Sequence, residues 1–170
     1  FPKIKKESIH QYLKEKNGEL NKELIVVSSI CNGNMTSCLE LVSKFEMRFS
    51  TFDEGIKLLF KYDLNKWNNF SKKIKINEIK YFLDLLLIFF SDIIIYKQYQ
   101  SKGKLNFQNY FDEIIILNKK YDVKVFKSLI DIINKTKQDM GKNVFTPLLI
   151  TSLYIEINQT LRNNSFDKIT

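Results

Sequence analysis

The chain has no alanine, only two arginines (Arg48 and Arg162), one histidine (His10), two prolines and five glycines in 170 residues. Each shortage excludes something. Scarce Gly and Pro, beside 44% hydrophobic and 14% aromatic residues, exclude a linker, a collagen-like repeat or a disordered chain. The two cysteines, Cys31 and Cys38, cannot form a disulfide framework, and with His10 they fall short of the usual four-ligand zinc site. The most apolar run, residues 81–96, contains Asp84 and Asp92. A bilayer span needs about twenty apolar residues and tolerates a central carboxylate poorly, so a buried helix of a soluble protein is expected. No positively charged leader followed by an apolar stretch opens the chain, and a cytoplasmic location is the expectation. The start at Phe1 instead of Met suggests a processed chain or a fragment.

What is present is charge of one sign and helical periodicity. The formal net charge is +8, carried by 25 lysines against the two arginines. Lysine excess with abundant Ile, Asn and Phe and no Ala matches the codon bias of an AT-rich genome. Two lysine clusters stand out: Lys72, Lys73, Lys75 and Lys80, then Lys119, Lys120, Lys124 and Lys127. Clustered cations attract phosphate through counterion release, whereas base readout and bidentate phosphate forks prefer Arg.

Apolar residues recur at i, i+3, i+4 and i+7 along nearly the whole chain, which predicts an all-α fold. Ile9 and Leu13 share one face before Gly18. Leu20, Leu24, Val27 and Cys31 form the next stripe, with Gly33 as a left-handed stop. Asn34 then caps a third short helix carrying Met35, Cys38, Val42 and Phe45. A second unit is expected from Ser50, where Thr51 to Glu54 has capping-box spacing and Phe52, Ile56 and Leu59 follow. Trp67, Phe70 and Ile74 form another set. A long helix from about Ile76 to Tyr99 is apolar nearly all round, as at the centre of a bundle. A helix near Phe107 to Leu117 follows the loop at Gly103. Asp122 caps a helix carrying Val123, Phe126, Ile130, Ile133 and Met140, and Thr146-Pro147 reads as N-cap and N1 of the last one. That helix buries Leu149, Leu153, Ile157 and Leu161.

Chemistry is sparse. There is no phosphate-cradling Gly-rich loop, no Gly-x-Ser-x-Gly elbow and no His-Glu-x-x-His pair. His10 with Cys31 or Cys38 would be the only nucleophile pairing, but both cysteines fall on apolar stripes and read as structural thiols. Asp84 and Asp92 lie on much the same face of the apolar helix. They read as marking its solvent or interface edge, because paired catalytic carboxylates need a cleft that separates their pKa values. No catalytic, cofactor-binding or metal-ligating residue is assigned.

The order of helices and their junction residues resembles the C-terminal two-thirds of bacterial DNA polymerase III clamp-loader subunits, most nearly the delta-prime type. Phe1-Pro2, Glu7-Ser8-Ile9 and Tyr12-Leu13 resemble the start of a small AAA+ lid. Ser29 to Leu41 matches the lid layout of a helix ending in Gly and another beginning at once. Residues 82–94 resemble the apolar helix of the family's collar, and Asn143-Val144 with Leu148 to Leu153 its final helix. The resemblance implies a three-helix lid over residues 1–48 and a helical-bundle collar over 49–170. It implies a non-catalytic subunit that packs its collar against sister subunits, which together load the sliding clamp on primed DNA. Two departures matter. ATP-hydrolysing members carry an arginine in the lid where this chain has Thr36, which cannot pair with phosphate as a cation does. The family's collar often has Arg before its Asp, where Ser91 precedes Asp92 here. The resemblance thus implies no cofactor, no small-molecule substrate and no membrane. The alternative from the lysines is a stand-alone basic helical protein that binds nucleic acid or acts as a scaffold.

Overall fold

A computed structural model describes residues 4–17, 45–142 and 145–164, together with residues 26–28, 31, 34, 36, 38, 39 and 42 between the first two segments. Among the described residues the chain is all-α, with no strand. Seven helices are bounded there: α1 Lys6–Asn17, α2 Phe45–Lys61, α3 Leu64–Lys73, α4 Ile76–Tyr99, α5 Phe111–Lys120, α6 Val123–Asp139 and α7 Thr146–Asn163. Gly18, Gly33, Phe1-Pro2, Asn143-Val144 and most of the expected second and third lid helices lie outside the described residues.

Helix α4 runs over the expected span and is the axis of the molecule. Ile79, Phe82, Leu83, Leu85, Leu86, Phe89, Phe90 and Ile93 are all buried, on several sides of the helix. A helix apolar all round has no face to give to water. It is therefore packed by α6, α2 and α5, while α7 closes the bundle against α6 and α3. At its start the Glu78 carboxylate accepts the Lys75 N–H at 3.2 Å. At its end Gln100 adopts a left-handed backbone (φ 50°), and its N–H returns to the Tyr96 carbonyl at 2.8 Å.

Aromatic rings join the helices. Phe52 of α2 stacks on Phe107 with centroids 5.0 Å apart, meets Tyr110 edge-on at 5.8 Å, and touches Phe82 and Phe89 of α4. Trp67 of α3 is fully buried, stacks on Tyr154 of α7 at 4.8 Å and donates its indole N–H to the Ile150 carbonyl at 3.0 Å. The buried faces foreseen at Phe52, Ile56 and Leu59, at Trp67, Phe70 and Ile74, and at Leu149, Leu153, Ile157 and Leu161 are all in the core.

Four local expectations are corrected. Thr51 to Glu54 does not start a helix: α2 is continuous from Phe45 to Lys61. Capping-box spacing is also i, i+3 spacing inside a helix, and Asp53 there pairs with Lys57 one turn on, at 2.6 Å. Helix α5 begins at Phe111, after a 3-10 turn at Gln108–Tyr110. The stripe of α6 centres on Val125, Phe126, Leu129 and Ile133, while Val123 and Ile130 are only half-buried. Finally, Phe145 holds the N-cap of α7 and Thr146 is its first residue.

Among the described residues the buried hydrophobic side chains form two clusters. Ile9, Leu13, Val27, Cys31 and Cys38 make the small one, bordered by Val42, Phe49 and Tyr81; most of the others surround α4. Where they meet, the Arg48 guanidinium lies over the Tyr81 ring, 3.5 Å from its centroid. It is only 8% exposed, and its Nε and Nη1 are buried without a hydrogen-bond partner. A desolvated cation with unmet donors costs several kcal/mol, which the ring face offsets only in part.

Two substitutions test these packing arguments. Gly55 of α2 faces α4 so closely that an added Cβ would lie 2.8 Å from Phe82 Cζ and 3.0 Å from Phe70 Cζ. Gly55→Ala should therefore destabilise by about 1–3 kcal/mol through overpacking, although Ala in an open helix position gains about 1 kcal/mol over Gly. Urea unfolding followed by circular dichroism checks the sign, and a more stable variant would refute the close approach. Arg48→Met should be neutral or stabilising by about 1–3 kcal/mol in the same experiment, because it removes the unpaired buried charge and keeps the bulk.

Candidate interaction surfaces

The two carboxylates of α4 have separate structural roles. Asp84 forms an ion pair with Lys137 of α6. Asp92 is fully buried, which corrects the expectation that it marks an exposed edge. Its Oδ2 accepts the Phe107 N–H at 2.7 Å and its Oδ1 the Asn106 amide at 2.9 Å. A carboxylate offers only acceptors, so it can serve two donors of a chain reversal that has no helix to use them. Asp92 thereby anchors the segment that delivers Phe107 to the aromatic core. Asp53 does related work from α2. It accepts the Tyr110 hydroxyl at 2.6 Å as well as the Lys57 ammonium. Partial burial pushes its carboxyl upward, but these two donors outweigh that and hold it below the usual carboxylate range. Burial and the Asp53 carboxylate raise the Tyr110 hydroxyl in turn.

Cys31 and Cys38 are both buried, in the same cluster. Separate apolar stripes gave no sign of this, because periodicity says nothing of how one helix face meets another. The His10 side chain lies outside the described residues. Thr36 is exposed on helical backbone. Among the described residues no group of three or more His, Cys, Asp or Glu converges as metal ligands.

The lysine clusters lie on the surface. Lys72 and Lys73 occupy the last turn of α3, Lys75 precedes α4 and Lys80 follows one turn later; all four are exposed. The helix end attracts cations, and no described carboxylate forms an ion pair with any of the four. In the second cluster Lys119, Lys124 and Lys127 are exposed, and Lys120 is half-buried beside the Tyr121 ring.

The strongest apolar surface is on α7. Leu148 and Ile155 are two turns apart on one side, in line with Phe145 at the N-cap. They are 63%, 40% and 71% exposed respectively. Beside Ile155, a shallow cleft of about 240 Å³ runs to the α2–α3 junction, lined by Tyr62, Leu64, Tyr154, Asn158 and Arg162 among others. The Arg162 guanidinium lies over the Tyr62 ring at 4.7 Å, and Tyr62 has a left-handed backbone (φ 55°) that bulky residues rarely adopt. Asn158 donates its amide to the Tyr154 carbonyl at 2.9 Å, which leaves Oδ1 buried without a partner. An acceptor in that state normally calls for a donor. The pattern was present in the sequence as apolar residues lying off the Leu149 stripe, at spacings of three and seven.

Replacing Asp92 by Asn should cost about 1–3 kcal/mol, since an amide would set a donor against one of the two donors it now serves. Urea unfolding, with hydrogen exchange at the Phe107 amide, checks this; an unchanged exchange rate would refute the anchor. No described helix is long and apolar enough to cross a membrane. No protein-family model, curated protein or solved structure matches the chain.

Proposed function

We propose that the chain is a non-catalytic assembly subunit, a piece of a clamp-loader subunit of the delta-prime type. In this reading residues 1–48 serve as the lid and 49–170 as the collar that packs against sister subunits. The observation that carries it is the exposed apolar row Phe145, Leu148 and Ile155 on the last helix, beside a closed core. A row of this kind on one helix face marks a contact surface, whereas scattered exposed residues do not. The adjoining cleft, with the exposed Tyr62 and Leu64 and the Arg162 guanidinium, extends this surface. Thr36 in place of the lid arginine supports a subunit without its own ATP turnover.

Mixing the chain with the other loader subunits tests the reading by size-exclusion co-elution at micromolar concentration. The wild-type chain should co-elute. The double variant Leu148→Glu and Ile155→Glu should keep its helicity, change stability by no more than about 0.5 kcal/mol, and lose co-elution. Failure of the wild type to co-elute overturns the clamp-loader assignment, and co-elution of the variant moves the contact away from α7.

The lysines support a second reading, a basic helical scaffold that binds nucleic acid directly. Lys72, Lys73, Lys75 and Lys80 form an exposed patch without ion pairs to described carboxylates. That reading expects DNA affinity in the isolated chain that falls steeply with salt and is lost on charge reversal of Lys72, Lys73 and Lys75.

A further inference from the structure

Helices α3 and α7 lie side by side and run in opposite directions. Trp67 donates to the Ile150 carbonyl at 3.0 Å, and the Thr151 hydroxyl donates to the Asn68 side-chain oxygen at 3.2 Å. One turn earlier on α3 and one turn later on α7, Leu64 and Ile155 line the same cleft. Residues one turn apart share a helix face, so the register continues in the other direction. Lys72, one turn beyond Asn68, therefore stands beside Leu148, one turn before Thr151, and both are exposed. The first lysine cluster and the apolar row, far apart in sequence, meet on one surface. At the opposite end Arg162 follows Leu148 and Ile155 at the same seven-residue interval, exposed beside the Tyr62 ring.

This surface is an apolar stretch with a cation at each end. At 1.5 Å per residue, Leu148 and Ile155 are about 10 Å apart along α7, and Arg162 lies about 10 Å further on. Among the described residues neither Lys72 nor Arg162 has an ion pair. The α3 cap Asp63 and Glu156 of α7 already face lysines, Lys66 at 3.3 Å and Lys135 at 3.9 Å. A second copy of the chain does not suit this plan. Antiparallel pairing of α7 with α7 sets Lys72 of one copy against Arg162 of the other, and parallel pairing sets each cation against itself. The net charge of +8 adds to that repulsion. Phosphate backbones do not suit it either, because the two cations are separated by apolar side chains.

We propose that this face receives an acidic amphipathic helix of a partner protein, laid along the groove between α3 and α7. The inference rests on the reading of α7 as a contact surface and adds the chemistry of what covers it. Apolar side chains of the partner helix, recurring at three- and four-residue spacing, cover Leu64, Leu148 and Ile155. Carboxylates about fourteen residues apart, near the two ends of that helix, meet Lys72 and Arg162. The apolar stretch supplies most of the affinity, and the end charges set the choice of partner.

The test uses the 170-residue chain and two fluorescently labelled synthetic helices of about twenty residues, read by anisotropy. Both helices carry leucine at heptad spacing; one has glutamate near each end and the other has lysine there. The wild type should bind the glutamate helix at least about tenfold more tightly than the lysine helix. The double variant Lys72→Glu and Arg162→Glu should reverse that preference, and Leu148→Glu with Ile155→Glu should abolish binding of both. Circular dichroism monitors folding, and if the charge variant is unfolded the two helices on the wild type decide. Equal affinity for the two helices, or binding that survives Leu148→Glu with Ile155→Glu, would overturn the proposal. So would displacement of the glutamate helix by single-stranded DNA or by phosphatidylserine vesicles, or dimers of the chain that this apolar variant dissolves. Failure of the glutamate helix while sister subunits still co-elute overturns the acidic partner alone. If both fail, the reading of α7 as a contact surface falls with it.

Discussion

The fold depends on one requirement: a helix with no polar face must be enclosed. Helix α4 exposes apolar side chains in several directions, and each burial fixes a neighbour. Phe82 draws α2 close enough that only glycine fits at residue 55. Phe90 meets Phe126 of α6, and Phe89 meets the connecting segment at Phe107 and Tyr110. Rings dominate these contacts because a ring fills more volume than an aliphatic chain of few rotamers and still packs edge to face. A chain without alanine has little small-residue filler, so its helices are held apart by large side chains except where glycine intervenes.

Polar groups inside the bundle act as fasteners. Asp92 and Asp53 serve the Phe107 N–H and the Tyr110 hydroxyl in the segment before α5, and Trp67 ties α3 to the Ile150 carbonyl of α7. Arg48 is the exception, a buried cation whose Nε and Nη1 are left unmet. It stands where the two clusters meet, over the Tyr81 ring. Surface lysines carry nearly all the positive charge and leave the core untouched. Composition and architecture are in that sense independent in this protein.

Period was the legible part of the sequence. The span of α4, the buried faces of α2, α3 and α7, and the Asp122 cap follow from repeats of apolar residues and from capping chemistry, and both are local signals. Junctions were less legible. Thr51 to Glu54 looked like a helix start because i, i+3 pairs occur equally within a helix, and nothing local says that upstream carbonyls already satisfy the same N–H groups. Asp92 looked like an edge residue because its partners, Asn106 and Phe107, are supplied by a chain reversal fourteen and fifteen residues away. The same holds at the candidate sites. Leu148 and Ile155 were readable as apolar residues off the buried stripe, whereas the shared cluster of Cys31 and Cys38 joins two stripes that periodicity treats separately.

The burial of Trp67 has an optical consequence. It is the only tryptophan, it lies out of water, and it is stacked and hydrogen-bonded between α3 and α7. Its native emission therefore arises from one indole in one apolar environment, at the closure of the bundle and away from the thiol-bearing cluster. The chain carries an intrinsic fluorophore that reports loosening of α7 from α3. Emission and helicity, followed together, separate the two regions without any added label.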